Sequence, residues 1–353
     1  MAKKIARDFF ILFGLFVLWA STSRQAMGFI AEKRDVNKWW GTYQCLNGDL
    51  VSMSYLDFVK TFNPGPDHDR LKTAPHTGTE NTVLYLDGDS YTWHLGDSNF
   101  AGLNSLVYIN RDHGCNYHLD HTKKNVLIIE ISERMVWDYF SSLRIFDEIC
   151  DSAIKKKNIT MGQEPGTAPG MYASMLPSVP FGELFNKYIN QNLQCNLFNY
   201  QFIMPMFENK AAINYYVFNR ASGDVVISED RKFLFLEKTV ALNETGSSYG
   251  PVSSEQLGLL VDHFNQIYDH YKKGGFDEEY LSIIPNAATI VQPQGYNQFI
   301  PLIQNDPNLK MKTLDIYSIF KDSPDGIYWP GDTHWKYKGK QKWLDLVNIA
   351  LRK

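Results

Sequence analysis

A largely apolar run at residues 125–131 constrains the fold of this chain more than any other stretch. Apolar residues at consecutive positions, bounded by polar ones, predict a strand that is buried inside a parallel sheet. A helix is predicted to follow Ser132 and to continue to about Ile149. Other strands are predicted at residues 82–88, 106–109, 280–284 and 313–316. Strands that alternate with helices predict an α/β fold with a mainly parallel sheet, whose ligand site lies at the carboxyl ends of its strands.

Two helices in the last third of the chain have clear sequence signatures. Ser253 and Gln256 have the spacing of a capping box, which predicts a helix start. Apolar residues then recur at intervals of three and four until Gly274 and Gly275, which predict the helix end. A last helix is predicted at about residues 337–351.

The first predicted strand delivers a serine to a position suited to catalysis. The strand breaks at Gly88, and Ser90 is predicted to begin a helix that continues to about Leu95. A strand-to-helix turn of this kind lifts a serine hydroxyl off the carboxyl end of a sheet. It also points the free N–H groups of a helix start at the atom that the oxygen attacks.

A second stretch, Asp332-Thr333-His334-Trp335, supplies what a nucleophilic serine needs. Serine requires a base, and an imidazole is a good base only when another group fixes its tautomer and orientation. Residues two apart point the same way in an extended backbone, so Asp332 is predicted to bind Nδ1 of His334 and leave Nε2 for Ser90. The alternatives are a structural histidine and a chance Gly-Asp-Ser tripeptide.

The middle of the chain has a different character. Residues 151–180 contain three consecutive lysines and are then rich in Gly, Pro, Ser and Met, which predicts a linker or a long surface loop. Residues 196–242 look β-rich, with strands predicted at 215–218 and 232–236. These features predict a small β-rich insertion at about residues 151–250.

The N-terminus predicts export from the cytoplasm. A basic start precedes an apolar run at residues 9–20. This run is closer to the ~7–15 residues of a signal-peptide core than to the ~20 of a membrane span. A cleaved signal, a retained anchor and a buried soluble helix remain alternatives. The predicted organisation is a signal peptide or anchor at residues 1–27, an N-terminal extension at 28–80 and a main domain at 81–353.

Cysteine usage and charge narrow the classes of partner. Cys45, Cys115, Cys150 and Cys195 fit an exported protein with up to two disulfides, and the three pairings and free thiols all remain open. Their spacing is not that of zinc ligands, so no metal is predicted. A net charge of −4 without a long basic block argues against nucleic acid as the main partner.

Gly88-Asp89-Ser90-Tyr91 and Asp332-Thr333-His334-Trp335, with Gly339 after it, resemble motifs of the SGNH-hydrolase-like superfamily. More narrowly, they resemble its alginate O-acetyltransferase type, whose hallmark is Asp-x-His-Trp, whereas ordinary SGNH esterases carry Asp-x-x-His. In the alginate enzymes this motif precedes Gly-Asp-Ser, while here the serine comes first. The resemblance implies a three-layer α/β/α fold with a mainly parallel sheet, and Ser90, His334 and Asp332 as the catalytic triad.

The resemblance also implies an oxyanion hole. The backbone N–H of Ser90 is its first predicted donor, and Asn110 and Gly114 match the segment that supplies a second donor in SGNH enzymes. Arg134 is predicted to orient the substrate or to support the site through a salt bridge. The structural alternatives for these last three residues are a turn asparagine, a turn glycine and a buried ion pair.

The expected activity is therefore extracytoplasmic O-acetyl transfer to a glycan through an acyl-Ser90 intermediate, without a cofactor. The resemblance implies that a membrane partner supplies the acetyl donor. One alternative is a carbohydrate acetylesterase with the same triad. Another is a glycan-binding or assembly protein that has the fold but no catalytic activity.

Overall fold

The computed structural model of the chain describes residues 2–23, 26, 48–56, 71–74, 81–110, 115–117, 119–141, 149–151, 193, 197–198, 200, 202–221 and 223–352. The chain divides into two compact units. One comprises residues 1–45 and 163–218, and the other comprises residues 46–162 and 219–353.

Strands of the described residues form one five-stranded sheet and two small ones. The strands are β1 (Thr82–Gly88), β2 (Leu103–Asn110), β3 (Cys115–Tyr117), β4 (Lys124–Ser132), β5 (Ile149–Asp151), β6 (Val225–Ile227), β7 (Leu234–Leu236), β8 (Glu278–Ile284) and β9 (Lys312–Thr313). The large sheet has the order β2-β1-β4-β8-β9, and all its neighbouring strands are parallel. β3 pairs with β5 in parallel, and β6 pairs with β7 antiparallel.

Nine α-helices lie in the described residues, before, between and after these strands. They are α1 (Ala2–Thr22), α2 (Asp49–Ser54), α3 (Glu133–Phe140), α4 (Met204–Phe218), α5 (Ser254–Gly274), α6 (Ala287–Val291), α7 (Phe299–Gln304), α8 (Ile316–Asp322) and α9 (Tyr337–Leu351). The structure thus confirms the predicted α/β fold with a mainly parallel sheet.

Burial along β4 shows that the sheet is covered on both faces. Eight consecutive residues of β4, from Asn125 to Ser132, are buried, and β1 and β8 each have six consecutive buried residues. Because successive side chains of a strand point to opposite faces, helices or loops must cover both faces. Helices α5 and α9 contribute buried side chains such as Phe264 and Trp343 to the same core.

The ends of α5 follow the sequence closely. The Ser253 hydroxyl accepts a hydrogen bond from the Gln256 N–H at 3.1 Å, and the Gln256 side chain accepts one from the Ser253 N–H at 3.1 Å. Gly275 ends the helix in the left-handed region, with φ of 106°. The predicted capping box and glycine stop are both confirmed.

Several predicted elements are absent from the structure or shorter than predicted, among them the strand at 232–236, of which only Leu234–Leu236 is a strand. Residues 215–218, predicted as a strand, are the last turn of α4, where Met204, Ala211 and Tyr215 are buried at helical spacing. The helix after β4 ends at Phe140, and Ile149 instead begins β5. Near residue 313 the strand is limited to Lys312–Thr313, because the Asp315 side chain accepts a hydrogen bond from Ser318 N and starts α8.

Several predictions lie partly or wholly outside the described residues. Cys45, Cys195 and nearly all of the predicted linker at 151–180 are in this group. Cys115 and Cys150 lie in β3 and β5, and their side chains are not described. The disulfide predictions therefore stay predictions.

The N-terminal apolar run is helical. The 20-residue segment Lys3–Thr22 of α1 has a mean hydropathy of 1.6 and is long and apolar enough to cross a membrane. A signal sequence and the core helix of a soluble protein pass the same test of length and apolarity, so α1 is compatible with each of the three predicted alternatives.

Glu133 predicts how stability depends on pH. Its side chain is buried, and Oε2 accepts hydrogen bonds from the Asn286 N–H at 2.8 Å and the Thr289 hydroxyl at 2.6 Å. Burial raises the pKa of Glu133 from 4.5 to about 7, against the opposing effect of these hydrogen bonds. The folded protein therefore holds this proton more tightly than the unfolded chain, and the stability that results is lost as pH rises through the folded pKa.

We expect the free energy of unfolding to fall by about 3 kcal/mol between pH ~4.5 and ~8 relative to Glu133→Gln, since each pKa unit is worth about 1.4 kcal/mol. Glutamine keeps both accepted hydrogen bonds and does not titrate. Denaturant unfolding of both proteins across this range measures the difference. A difference that stays constant with pH would contradict the account.

Candidate active site

Ser90 lies just past the carboxyl end of β1, in a turn and not at the start of a helix. The Thr92 N–H donates to the Asp89 carbonyl at 3.1 Å, and residues 90–94 are turns that precede a 3₁₀ helix at Asp97–Asn99. The helix predicted from Ser90 to about Leu95 is therefore absent. His94 accounts for this difference, because its φ of 67° is incompatible with a continuing right-handed helix.

Asp89 fixes the backbone of this turn. Its carboxylate accepts hydrogen bonds from the N–H groups of Tyr91 at 2.9 Å and Ser132 at 3.3 Å. Its own N–H donates to Glu130 Oε2 at 2.9 Å, and its carbonyl accepts from the Tyr108 hydroxyl at 3.0 Å. The turn that carries Ser90 is thereby tied to both strands that flank β1.

Gly88 is required by the close approach of neighbouring side chains. A Cβ atom at this position would lie 2.1 Å from Thr92 Oγ1 and 3.2 Å from Glu130 Oε2. Thr92 Oγ1 in turn donates to Glu130 Oε2 at 3.2 Å. The glycine before Asp89-Ser90 thus leaves room for the hydrogen bonds that shape the turn.

The structure brings Ser90, His334 and Asp332 together in one hydrogen-bonded chain. His334 Nε2 lies 2.7 Å from Ser90 Oγ, although the two residues are 244 positions apart. His334 Nδ1 lies 2.6 Å from Asp332 Oδ1, which also accepts from the His334 N–H at 2.8 Å. A carboxylate can only accept, so Nδ1 carries the proton and the Nε2 lone pair faces the serine hydroxyl.

The surroundings of Asp332 and His334 determine the charge of the acid and the accessibility of the base. Asp332 is buried, and burial opposes its ionisation. Hydrogen bonds from His334 and the Asp49 N–H outweigh burial and lower the pKa of Asp332, so it is an anion at neutral pH. The His334 side chain is 33% exposed, which leaves its edge accessible to a small molecule.

Tyr91 and Trp335 hold the histidine loop against the serine turn. The Trp335 indole N–H donates to the Tyr91 carbonyl at 3.1 Å, and the Tyr91 hydroxyl donates to the Thr333 carbonyl at 2.6 Å. The Tyr91 and His334 rings lie 5.0 Å apart, centre to centre. The tryptophan of Asp-x-His-Trp therefore has a structural role, which the sequence pattern did not reveal.

Arg134 contacts Tyr91, the tyrosine that binds the histidine loop. Its Nη1 donates to the Tyr91 hydroxyl at 3.1 Å, and its guanidinium lies 5.7 Å from the centre of the Tyr91 ring. Among the described residues Arg134 forms no ion pair with a carboxylate, so the predicted salt bridge is not formed there. Its contacts support the tyrosine that braces the histidine loop.

Donors for an oxyanion are described only in part. In the described part of the chain, the Ser90 N–H donates to no protein acceptor, so it is free to bind a developing negative charge. Asn110 ends β2, where it pairs with Gly88, and its side chain is not described. Gly114 lies outside the described residues. The roles of Asn110 and Gly114 remain predictions.

Asp49 is the acidic residue at the site that the sequence analysis missed. Ligand atoms of Asp49, Asp332 and His334 all lie within 4.8 Å of one another, a spacing that could hold a metal ion. These atoms already make short hydrogen bonds, including 2.6 Å from His334 to Asp332 and 2.8 Å from the Thr333 N–H to Asp49. The cluster is thus a hydrogen-bonded network as it stands.

No protein-family model, curated protein or solved structure matches the chain.

The crowding at Gly88 yields a prediction about stability. We expect Gly88→Ala to lower the free energy of unfolding by about 1–3 kcal/mol, as overpacking commonly does, because Thr92 must move out of its hydrogen bonds. Gly96→Ala is the matched control, since a Cβ there meets no atom within 4 Å. Denaturant unfolding of both variants measures the difference. Equal stability of the two variants would show that the turn tolerates a side chain.

Proposed function

We propose that the chain is a serine-dependent acyl-transfer enzyme of the SGNH-hydrolase-like type. In its proposed reaction, an acetyl group passes through Ser90 to a glycan hydroxyl outside the cytoplasm. One observation carries this proposal: the hydrogen-bonded chain of Ser90, His334 and Asp332, with 2.7 Å between Ser90 Oγ and His334 Nε2. These are the distances and order of groups that nucleophilic catalysis by serine requires.

The position of the site in the sheet supports the same proposal. β1 has β2 on one side and β4 on the other, so the chain reverses its direction of travel across the sheet between β1 and β4. Open parallel sheets bind ligands at this kind of reversal, beyond the carboxyl ends of the strands. Ser90 follows β1 there, and Ser132 at the end of β4 binds Asp89.

Acylation is the first half of the proposed mechanism. His334 Nε2 takes the hydroxyl proton of Ser90 as Oγ forms a bond to the carbonyl carbon of an acetyl ester, and the carbonyl oxygen becomes an oxyanion. The Asp332 carboxylate stabilises the imidazolium that results. As the carbonyl re-forms, the bond to the leaving oxygen breaks, and Nε2 returns the proton to that oxygen.

Transfer is the second half and uses the same groups. A sugar hydroxyl gives its proton to Nε2 and attacks the acetyl carbon, and Ser90 leaves with the proton restored. Water in place of the sugar gives hydrolysis, so transferase and esterase differ only in the acceptor. The Asp-x-His-Trp spacing supports transfer, because it resembles the alginate O-acetyltransferase type and not ordinary SGNH esterases.

The Ser90 N–H is the proposed first donor to the oxyanion. One such donor is typically worth about 3–4 kcal/mol to the transition state. Asn110 and Gly114 are the proposed source of the second donor, from the resemblance alone. The apolar helix α1 supports a location outside the cytoplasm, where a membrane partner would supply the acetyl donor.

Removal of the nucleophile tests this proposal. We expect Ser90→Ala to lower kcat for a chromogenic acetyl ester on the order of 10⁶-fold, since the covalent path is lost. Ser98→Ala is the control, because Ser98 is an exposed neighbour whose carbonyl accepts from the Ala74 N–H and whose hydroxyl has no hydrogen bond to a described residue. The proposed mechanism would be contradicted if Ser90→Ala kept the kcat of the wild type. It would also be contradicted if the wild-type protein did not turn over the ester.

Replacement of the acid tests the role of Asp332 separately. We expect Asp332→Asn to lower kcat by about 10⁴-fold, because the amide can donate to Nδ1 and favours the wrong imidazole tautomer. Circular dichroism and thermal unfolding confirm that the variant is folded. A folded variant with undiminished kcat would exclude Asp332 from the proposed triad.

Product analysis distinguishes transfer from hydrolysis. In the presence of an oligosaccharide, a transferase forms acetylated sugar at the expense of free acetate, and mass spectrometry measures both. Acetate alone, at every acceptor concentration and with a range of glycans, would identify an esterase.

A further inference from the structure

Asp49, the first residue of α2, lies against the loop that carries Asp332 and His334, 283 positions away from Asp332 in the chain. We propose that Asp49 is a positioning residue for the acyl-transfer reaction, which holds the acid and the base of the triad in register. This inference depends on the proposed function, since it assigns Asp49 a task in that same site.

The Asp49 backbone binds one oxygen of the Asp332 carboxylate, and His334 binds the other. The Asp49 N–H donates to Asp332 Oδ2 at 3.1 Å. Asp332 Oδ1 is thereby left to the His334 ring and N–H, at 2.6 Å and 2.8 Å. Because both oxygens have partners, the carboxylate cannot rotate without breaking a hydrogen bond to a charged group.

The side chain of Asp49 fixes the residue between the acid and the base. Its Oδ1 accepts from the Thr333 N–H at 2.8 Å, and its Oδ2 accepts from the Thr333 hydroxyl at 2.5 Å. The Thr333 carbonyl accepts from the Tyr91 hydroxyl at 2.6 Å. Every polar group of Thr333 is therefore bound, so the backbone that links Asp332 to His334 has little freedom.

α2 itself is fixed against the same loop. The Val51 N–H donates to the Gly331 carbonyl at 3.2 Å. Gly48 has φ of 107°, and a Cβ there would lie 2.4 Å from the Gly331 oxygen. The residue before Gly331 is bound as well, because the Leu234 N–H of β7 donates to the Pro330 carbonyl at 2.7 Å. Residues 48–56, predicted as part of an N-terminal extension, thus contribute to the site.

The carboxylates of Asp49 and Asp332 determine which groups donate in this network and which accept. Asp49 and Asp332 are acceptors only, and both receive N–H donors from the loop or from α2. Asparagine at position 49 keeps the size of the side chain but not its charge, and its NH₂ group can only donate, so the Thr333 hydroxyl must reverse its hydrogen bond and accept. Positioning errors of about 1 Å can cost on the order of 10²-fold in rate. We therefore expect the defect to appear in turnover.

The test compares Asp49→Asn and Thr333→Val with wild type on a chromogenic acetyl ester. We expect Asp49→Asn to lower kcat by about 10- to 100-fold with KM within about twofold, because the loop shifts and the ester contact is unchanged. Thr333→Val removes only the hydroxyl donor, so its expected loss in kcat is smaller. Thr333→Ser keeps the hydroxyl donor, so its kcat should be closer to that of wild type than the kcat of Thr333→Val is.

Asp315→Asn is the matched structural control. Asp315 accepts from the Ser318 N–H at the start of α8, and asparagine can keep this cap, so Asp315→Asn is expected to leave both stability and kcat nearly unchanged. A fluorophosphonate that labels Ser90 provides a second readout, whose rate should fall in parallel with kcat in Asp49→Asn. If Asp49→Asn does not fold, Thr333→Val and Thr333→Ser carry the test.

The outcomes separate this inference from the proposed function. A wild-type protein that neither turns over the ester nor reacts with the fluorophosphonate overturns both. An active wild type with unchanged kcat in folded Asp49→Asn overturns the positioning role alone. An increase in KM without a fall in kcat, or a defect that Thr333→Ser does not relieve, also overturns it.

Discussion

The hydrogen bond between Ser90 and His334 depends on a sheet that holds distant parts of the chain at one edge. β1 ends at the turn of Ser90, and the parallel register places the end of β4 beside it. The histidine loop leads directly into α9, and the indole of Trp343 in α9 donates to Ser282 of β8 at 2.9 Å. The short contact between serine and histidine is therefore a consequence of core packing. A loop alone would not hold two side chains 244 positions apart at 2.7 Å.

Carboxylates surround the site, and backbone N–H groups stabilise most of them. Asp89 shapes the serine turn, Asp332 orients the imidazole, and Asp49 holds Thr333 between them. Hydrogen bonds to charged groups are stronger than those between neutral groups, so a few of them fix the geometry firmly. The same bonds offset the cost of burying Asp332 and of partly burying Asp49 and Asp89. The result is a preorganised acid and base, which is the main requirement for general-base catalysis by histidine.

The sequence predicted the parts of the fold whose signal is local and strong. β4 is buried along eight consecutive positions, and α5 carries its own caps, so both were predictable. Residues 215–218 have strand-like side chains, but the helix that precedes them continues through them. The turn at Ser90 depends on Asp89 and on the φ of His94, neither of which a strand-to-helix pattern encodes. Asp49 was missed because its partners lie 283 and 284 positions away, and no local spacing marks that contact.

The most direct test of the account is the identity of the acylated residue. Rapid quenching of the protein with a chromogenic acetyl ester, followed by proteolysis and mass spectrometry, reports which peptide gains one acetyl group. The account predicts that the acetyl is attached to Ser90, that it forms faster than it is lost, and that it is absent in Ser90→Ala. Turnover of the ester with acetylation of another residue, or with no acetylated peptide at any quench time, would contradict it.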